Sequence, residues 1–267
     1  MRENLIKLDI FDVLAVTSYE AKHETGRHGR ASIKAIIEEK REEEYVNAAK
    51  NTRWVRVDAL DEADKESTIF YGLLEKICFF KESGSFLVEL ELITGSSLME
   101  EKVHTRSFSK GAGEYTDILN ILKEGYEEAH YITGEEGNDT VPDFLVQYRE
   151  NDWNFIRRIA ALKKTVVMPD YQSKGVKYFF GMPKRDTKVL TLQDVRIVVN
   201  KEYTVYEVKS REIHSLGDRV RFNRRDYRII KIVSKTEGSE LYHTYYLTQD
   251  IDYIVKEESK YDLKIIG

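Results

Sequence analysis

His23 and His28, with Glu24 close to His23, are the nearest approach in this sequence to a metal-binding set. A metal site needs at least three converging ligands, and neither paired cysteines nor an H-E-x-x-H arrangement supplies them. The segment reads instead as a loop leading into a strand, and neither a metal nor another cofactor is assigned. Carboxylate pairs such as Glu38/Glu39 and Glu135/Glu136 lie in strongly polar runs. Acid–base catalysis needs a carboxyl whose pKa is moved by a cleft environment, so a run such as residues 38–44 reads as a solvated face. Cys78 is the lone cysteine and excludes an intramolecular disulfide. Within Ile77-Cys78-Phe79-Phe80, with no flanking histidine, it reads as a small buried hydrophobe. G-x-S-x-G, P-loop and dinucleotide glycine patterns are absent. No catalytic residue is assigned, and the chain reads as a non-enzyme.

The most basic stretch holds Arg219, Arg221, Arg224, Arg225, Arg228 and Lys231, with Phe222 and Tyr227 interleaved. A nucleic-acid module would set such cations on phosphates and such rings on bases. However, Arg219 and Arg221 alternate with Val220 and Phe222, as in a strand with one wet face. The formal net charge of -5 supplies no global attraction to nucleic acid. The stretch reads as a basic patch in a pore or at a subunit contact, with no specific nucleic acid as partner.

The elements that would position these residues are mostly strands. Residues 31–38, 54–57, 68–80 and 86–92 are apolar or alternating runs. The last two are joined by Lys81-Glu82-Ser83-Gly84 and read as a hairpin. In the middle, Tyr115, Ile118, Leu119, Leu122 and Tyr126 fall at helical spacing over residues 113–126. A strand over residues 143–148 follows. Asn151 or Asp152 then caps a second helix with Trp153, Phe155, Ile156, Ile159 and Ala160 on its apolar side. Trp153 and Phe155 read as core residues there rather than interaction anchors, and Arg157 or Arg158 could pair with Glu150. Strands over residues 165–168 and 178–180 complete an α/β module. Further strands are expected over residues 195–199, 203–208, 219–222, 227–233 and 241–248.

The run from Tyr227 through Thr236-Glu237-Gly238 to Leu241 loosely echoes the run from Tyr71 through Ser83-Gly84 to Phe86. Two related all-β modules flanking an α/β module are the expected organisation. The 267 residues, with 41% hydrophobic and 33% charged side chains, have a globular rather than a disordered composition. Lys7, Asp9 and Asp12 interrupt the apolar residues between Leu5 and Val16, unlike a secretory signal. No segment reaches the roughly 18 to 20 apolar residues of a membrane span, so no membrane anchoring is expected.

The string from Gln147 and Tyr148 through Glu150, Asp152, Trp153, Phe155, Arg157 and Arg158 to Ala160 closely resembles a signature of the phage late control gene D protein and VgrG family. That family reads Q-Y, an E two residues on, then D-x-x-F-x-x-R and apolar residues, followed by a strand pair. His28-Gly29-Arg30-Ala31 resembles its His-Gly strand opening, and Phe70-Tyr71-Gly72-Leu73-Leu74 its F-x-G-x-I strand. Ser96-Ser97-Leu98-Met99 with His104-Thr105-Arg106-Ser107-Phe108 resembles the entry to its middle module. The likeness runs from about Arg27 onward. It departs at Ala161-Leu162-Lys163-Lys164-Thr165, where family members often carry a glycine.

The resemblance implies an α+β, mostly β fold with two tube-like antiparallel β-barrel domains, residues 1–102 and 191–267, flanking an α/β domain, residues 103–190. It implies the hub of a contractile phage tail or phage-tail-like bacteriocin or injection particle. Three copies would form a homotrimer between a six-fold tail tube protein and a three-fold spike protein, beside neighbouring baseplate proteins. Such a chain is made in the bacterial cytoplasm and assembled into the baseplate. The motif residues would be a structural brace. Larger relatives continue into an OB-like domain and a β-helical spike about where this chain reaches Gly267. The competing readings are a tail-borne peptidoglycan hydrolase and a β-barrel nucleic-acid binder.

Overall fold

Side chains that alternate between apolar and polar can bury only one face of an extended chain, and in the computed structural model such runs assemble into one large sheet. The structure describes residues 5–60, 66–109, 113–134, 144–190, 194–199 and 204–249. Glu135, Glu136 and Gly267, named above, lie outside them, as do the first residues, 143 and 203, of two expected strands. The first part contains β1 (Ile6–Leu8), β2 (Ala15–Glu24), β3 (Arg27–Ile36), α1 (Glu42–Asn51), β4 (Trp54–Leu60), β5 (Glu66–Glu82) and β6 (Ser85–Ile93). The middle contains β7 (Val103–Ser109), α2 (Tyr115–Lys123), β8 (His130–Thr133), β9 (Phe144–Asn151), α3 (Asp152–Leu162), β10 (Val167–Pro169) and β11 (Lys177–Phe180). The last part contains β12 (Lys188–Val189), β13 (Asp194–Val199), β14 (Thr204–Ser210), β15 (Arg219–Phe222), β16 (Arg225–Glu237) and β17 (Glu240–Thr248).

The protein is mostly β. Ten strands follow one another in a single sheet in the order β1-β4-β5-β6-β3-β2-β16-β17-β14-β13, with β15 on β16 and β12 on β15. The sheet does not close into a barrel among the described residues. Where separate barrels were expected, the two halves are continuous, because β2 pairs with β16 through Glu20–Lys235 to Glu24–Lys231.

The loose hairpin echo has a definite geometric counterpart. β5 and β6 pair from Leu73 opposite Ile93 to Glu82 opposite Ser85, with a bulge between Leu74 and Lys76. β16 and β17 pair from Arg228 opposite Thr248 to Glu237 opposite Glu240, with a bulge between Ile229 and Lys231. Sliding one ladder onto the other by a constant offset superposes every pair, the bulge and the turn. The neighbours repeat as well. Ile33 of β3 lies opposite Leu90, as Val208 of β14 lies opposite Tyr245. Val55 of β4 lies opposite Gly72, as Val220 of β15 lies opposite Tyr227. The order β4-β5-β6-β3-β2 therefore recurs as β15-β16-β17-β14-β13. In this alignment Tyr227 matches Gly72, whereas the sequence echo had set it against Tyr71. A one-residue slip would have turned every side chain to the other face.

Each half has its own apolar core, and a third lies around α2 and α3. The strand β10 serves two of them. Val167 faces the helical core, while Val166 and Met168 belong to the C-terminal one. Glu114 caps α2 reciprocally with Asp117, a capping box.

Several local expectations are corrected. His23 is not in a loop but buried within β2. Cys78 faces outward rather than into the core, since it alternates with the half-buried Ile77 and Phe79. The solvated reading of residues 38–44 agrees with their exposure, and residues 42–44 form the first turn of α1, whose Tyr45 packs edge-on against Phe11 at 5.1 Å.

Candidate functional site

β9 passes directly into α3. The Asn151 side chain caps the helix, accepting from the Asn154 N–H at 2.8 Å, which resolves the two candidate caps in favour of Asn151. Asp152 is buried in the first turn, where the helix dipole favours a carboxylate. Its Oδ1 accepts from Arg106 Nη1 at 2.6 Å and Gln147 Nε2 at 2.7 Å, and its Oδ2 from the Tyr126 hydroxyl at 2.8 Å. Gln147 also accepts from Arg106 at 3.0 Å and donates to the Glu150 carbonyl at 2.9 Å. Arg106 lies on β7, directly opposite Gln147. Burial, then the bond to Asp152, pushes the Tyr126 hydroxyl upward in pKa. With both oxygens engaged by donors, the Asp152 carboxylate acts as a clasp between β7, β9, the turn after α2 and the start of α3.

The rest of the motif surrounds that clasp. Arg158 holds the Glu150 carboxylate with two nitrogens, at 3.2 and 2.8 Å, and donates to the Val146 carbonyl at 2.6 Å. Phe155 is buried and stacks on Phe108 at 5.5 Å. Trp153 is buried, lies 4.7 Å from the His28 ring, and donates its indole N–H to the Gly26 carbonyl at 3.3 Å. Arg157 lines an open cleft of about 430 Å³ with Glu100, His28 and Arg30. Tyr148 is the outlier: it is 67% exposed, with the Arg149 guanidinium over its ring at 5.8 Å.

The basic stretch is divided by the fold. Asn223 and Arg224, both with positive φ, make the two-residue turn between β15 and β16. Arg224 and Arg225 are exposed at that turn, and Arg221 pairs with Asp226 at 2.7 and 3.2 Å. Arg219 is half-buried. Arg228 departs from an exposed patch altogether: it is buried and donates to the Pro183 and Gly217 carbonyls at 3.2 and 3.1 Å. Its neighbours Tyr227 and Ile229 are buried as well, so both faces of β16 are covered at this point.

The junction of β2 with β16 carries buried polar residues that sequence reasoning missed. His23 lies flat on Tyr171, ring centroids 3.6 Å apart, and opposite Ile232 across the ladder. Ser234 and His243 share a hydrogen bond of 2.8 Å. Burial, reinforced by the neighbouring imidazole of His243, pushes His23 down to about 3. Burial, with His214 nearby, pushes His243 down to about 4. Gly29 makes this packing feasible, since a Cβ there would lie 2.7 Å from His23 Nδ1. Asp218, also missed, is buried under Arg185 and Lys188 at 2.5 and 2.8 Å. The only sequence signal for His23 was its place two residues from Ala21 and four from Tyr19, on one face of a strand. His28 has different surroundings, with Ser96 Oγ at 2.8 Å and Glu100 at 3.2 Å. Among the described residues, no group of three metal-ligating side chains converges, and no helix is long and apolar enough to cross a membrane.

No protein-family model matches the sequence, and no curated protein matches it either. Solved structures do share the fold. The E. coli c3393 protein, a component of the type VI secretion system, is similar with a TM-score of 0.66 at 10% identity, over 91% of this chain and 76% of that one. The 43 kDa tail protein of prophage MuSo2 from Shewanella oneidensis gives 0.63 at 9% identity, over 92% and 97%. A tail protein from Neisseria meningitidis gives 0.64 at 8% identity, over 92% and 95%. The fold is thus one shared by phage tail proteins and a type VI secretion component.

Proposed function

We propose that this chain is a structural baseplate hub of the late control gene D and VgrG type, in a contractile phage tail or a phage-tail-like bacteriocin or injection particle. Three copies form a ring between the six-fold tail tube and the three-fold spike, held among neighbouring baseplate proteins. Residues 1–102 and 191–267 supply the two tube-like units and residues 103–190 the α/β brace. The observation that carries this reading is the repeated ladder, in which Leu73–Ile93 to Glu82–Ser85 recurs as Arg228–Thr248 to Glu237–Glu240. Two equivalent units per chain turn a trimer into six near-equivalent positions, which lets one protein meet both symmetries. The fold shared with phage tail proteins supports the same placement.

On this reading the work is rigidity and interface area, with the motif helix as a brace and no catalytic residue assigned. The lumen passes DNA in a phage, whereas a bacteriocin-like particle carries no genome. Light scattering followed by negative-stain imaging tests it: a mass about three times 31.2 kDa and ring-shaped particles are expected. A chain that remains monomeric alone and with its tube and spike proteins added overturns it.

A further inference from the structure

The repeat leaves two strand edges without their counterpart. In β16, the outer edge of residues 231–235, beyond the part paired with β15, receives β2. The matching stretch of β5 is residues 76–80. Its outer edge, beyond the part paired with β4, receives no strand among the described residues. The counterpart of β2 is β13, which pairs only with β14 among the described residues. One side of an edge-to-edge joint is thus present where β5 runs on beyond β4, and the other on the terminal strand β13.

The side chains at these edges match a joint that is open. At the internal joint the inward pairs are His23 with Ile232 and Ala21 with Ser234, and all four are buried. Transferred by the same equivalences, the corresponding pairs are Val199 with Ile77 and Ile197 with Phe79. Ile197 is 56% exposed and Val199 70% exposed, while Ile77 and Phe79 are only partly buried against the first core. Apolar residues thus stand in water at the positions that the paired joint seals. A long unpaired edge carrying such residues is a template for another strand.

We infer that β13 of one copy adds antiparallel to residues 77–80 of β5 in a second copy of this chain, in solution and without a spike. Arg196 then lies opposite Phe80, Ile197 opposite Phe79, Val198 opposite Cys78 and Val199 opposite Ile77. The occupant is a second copy because the joint already formed inside the chain is the same joint. The contact is heterologous, so it propagates from copy to copy and closes when the rotation completes a ring. The inference deepens the three-copy reading above and rests on it for the number of copies.

Cys78 is exposed and is the lone cysteine, which makes the register directly testable. Opposed residues in an antiparallel pair have Cα atoms about 4.5 to 5.5 Å apart, within the range a disulfide spans. Full-length Val198→Cys is oxidised and run on a non-reducing gel, with light scattering on the same sample. Covalent species of two and three chains are expected, at least tenfold above those from Val195→Cys, whose side chain lies on the other face. Adding Cys78→Ser to Val198→Cys should abolish them. Ile197→Lys, at an exposed position, should shift the assembly toward monomer without altering the circular dichroism spectrum. Oligomers in which Val198→Cys cross-links no better than Val195→Cys overturn the pairing and leave the ring reading standing. A monomer with no cross-link overturns the pairing between free chains, and the ring reading then rests on its own test with tube and spike.

Discussion

The indole of Trp153 donates to the carbonyl of Gly26 across 3.3 Å, tying the motif helix α3 to the turn between β2 and β3. The neighbouring Gly26 N–H donates to the Val167 carbonyl of β10 at 2.6 Å. The strand β2 joins the two halves of the sheet, so this turn fixes the joint against the helical core.

Trp153→Ala should therefore cost about 3 to 5 kcal/mol, the usual range for deleting a buried aromatic ring. Chemical denaturation of the full chain measures it. Trp153→Phe keeps most of the ring and should cost less. A Trp153→Ala protein with an unchanged midpoint would contradict the bracing role.

Asp152→Ala should cost about 3 kcal/mol, near the low end for breaking a buried pair, because Arg106 keeps some access to water. Arg221→Ala, which breaks an ion pair at the exposed β15–β16 turn, should leave the midpoint unchanged. Equal losses in the two variants would mean that burial does not distinguish these pairs.

Acid should weaken the fold through His23 and His243. Unfolded, both titrate near about 6.5; folded, burial pushes them down to about 3 and about 4. Between those values the unfolded chain binds protons that the folded one refuses, so stability is full above about pH 6.5 and falls as pH falls. The loss at pH 5 is about 2 kcal/mol per histidine. Urea midpoints at several pH values test it, and His23→Phe should flatten the slope. Asp218 acts lower. Burial alone would raise its carboxyl, but Lys188, Arg185 and the Ser215 N–H hold it below the ordinary value. Its contribution is complete above about pH 3.9 and is lost only as pH falls further.

Gly29→Ala should destabilise by about 1 to 3 kcal/mol, the usual cost of overpacking. The new methyl would sit 2.7 Å from His23 Nδ1 and 3.0 Å from Thr94 Cγ2, both in buried residues. A neutral result would show that the His23–Tyr171 stack yields easily.

The sequence by itself determined the elements whose signal is local. Apolar or alternating runs marked β5, β6, β16 and β17, turn residues marked the Ser83-Gly84 hairpin, and helical spacing marked α2 and α3. It did not mark β2, whose end it read as a loop, because the inward residues Tyr19, Ala21 and His23 are weakly hydrophobic, nor α1, whose one buried side chain is Tyr45. Tertiary structure alone decided that Cys78 faces out, that Arg228 faces in and that Asp152 collects Arg106, Gln147 and Tyr126. It also decided that β2 lies on β16. A strand's own residues set its period, but its partner is chosen by which distant edge can satisfy its backbone and bury its apolar face. That choice exists only once both edges are present together.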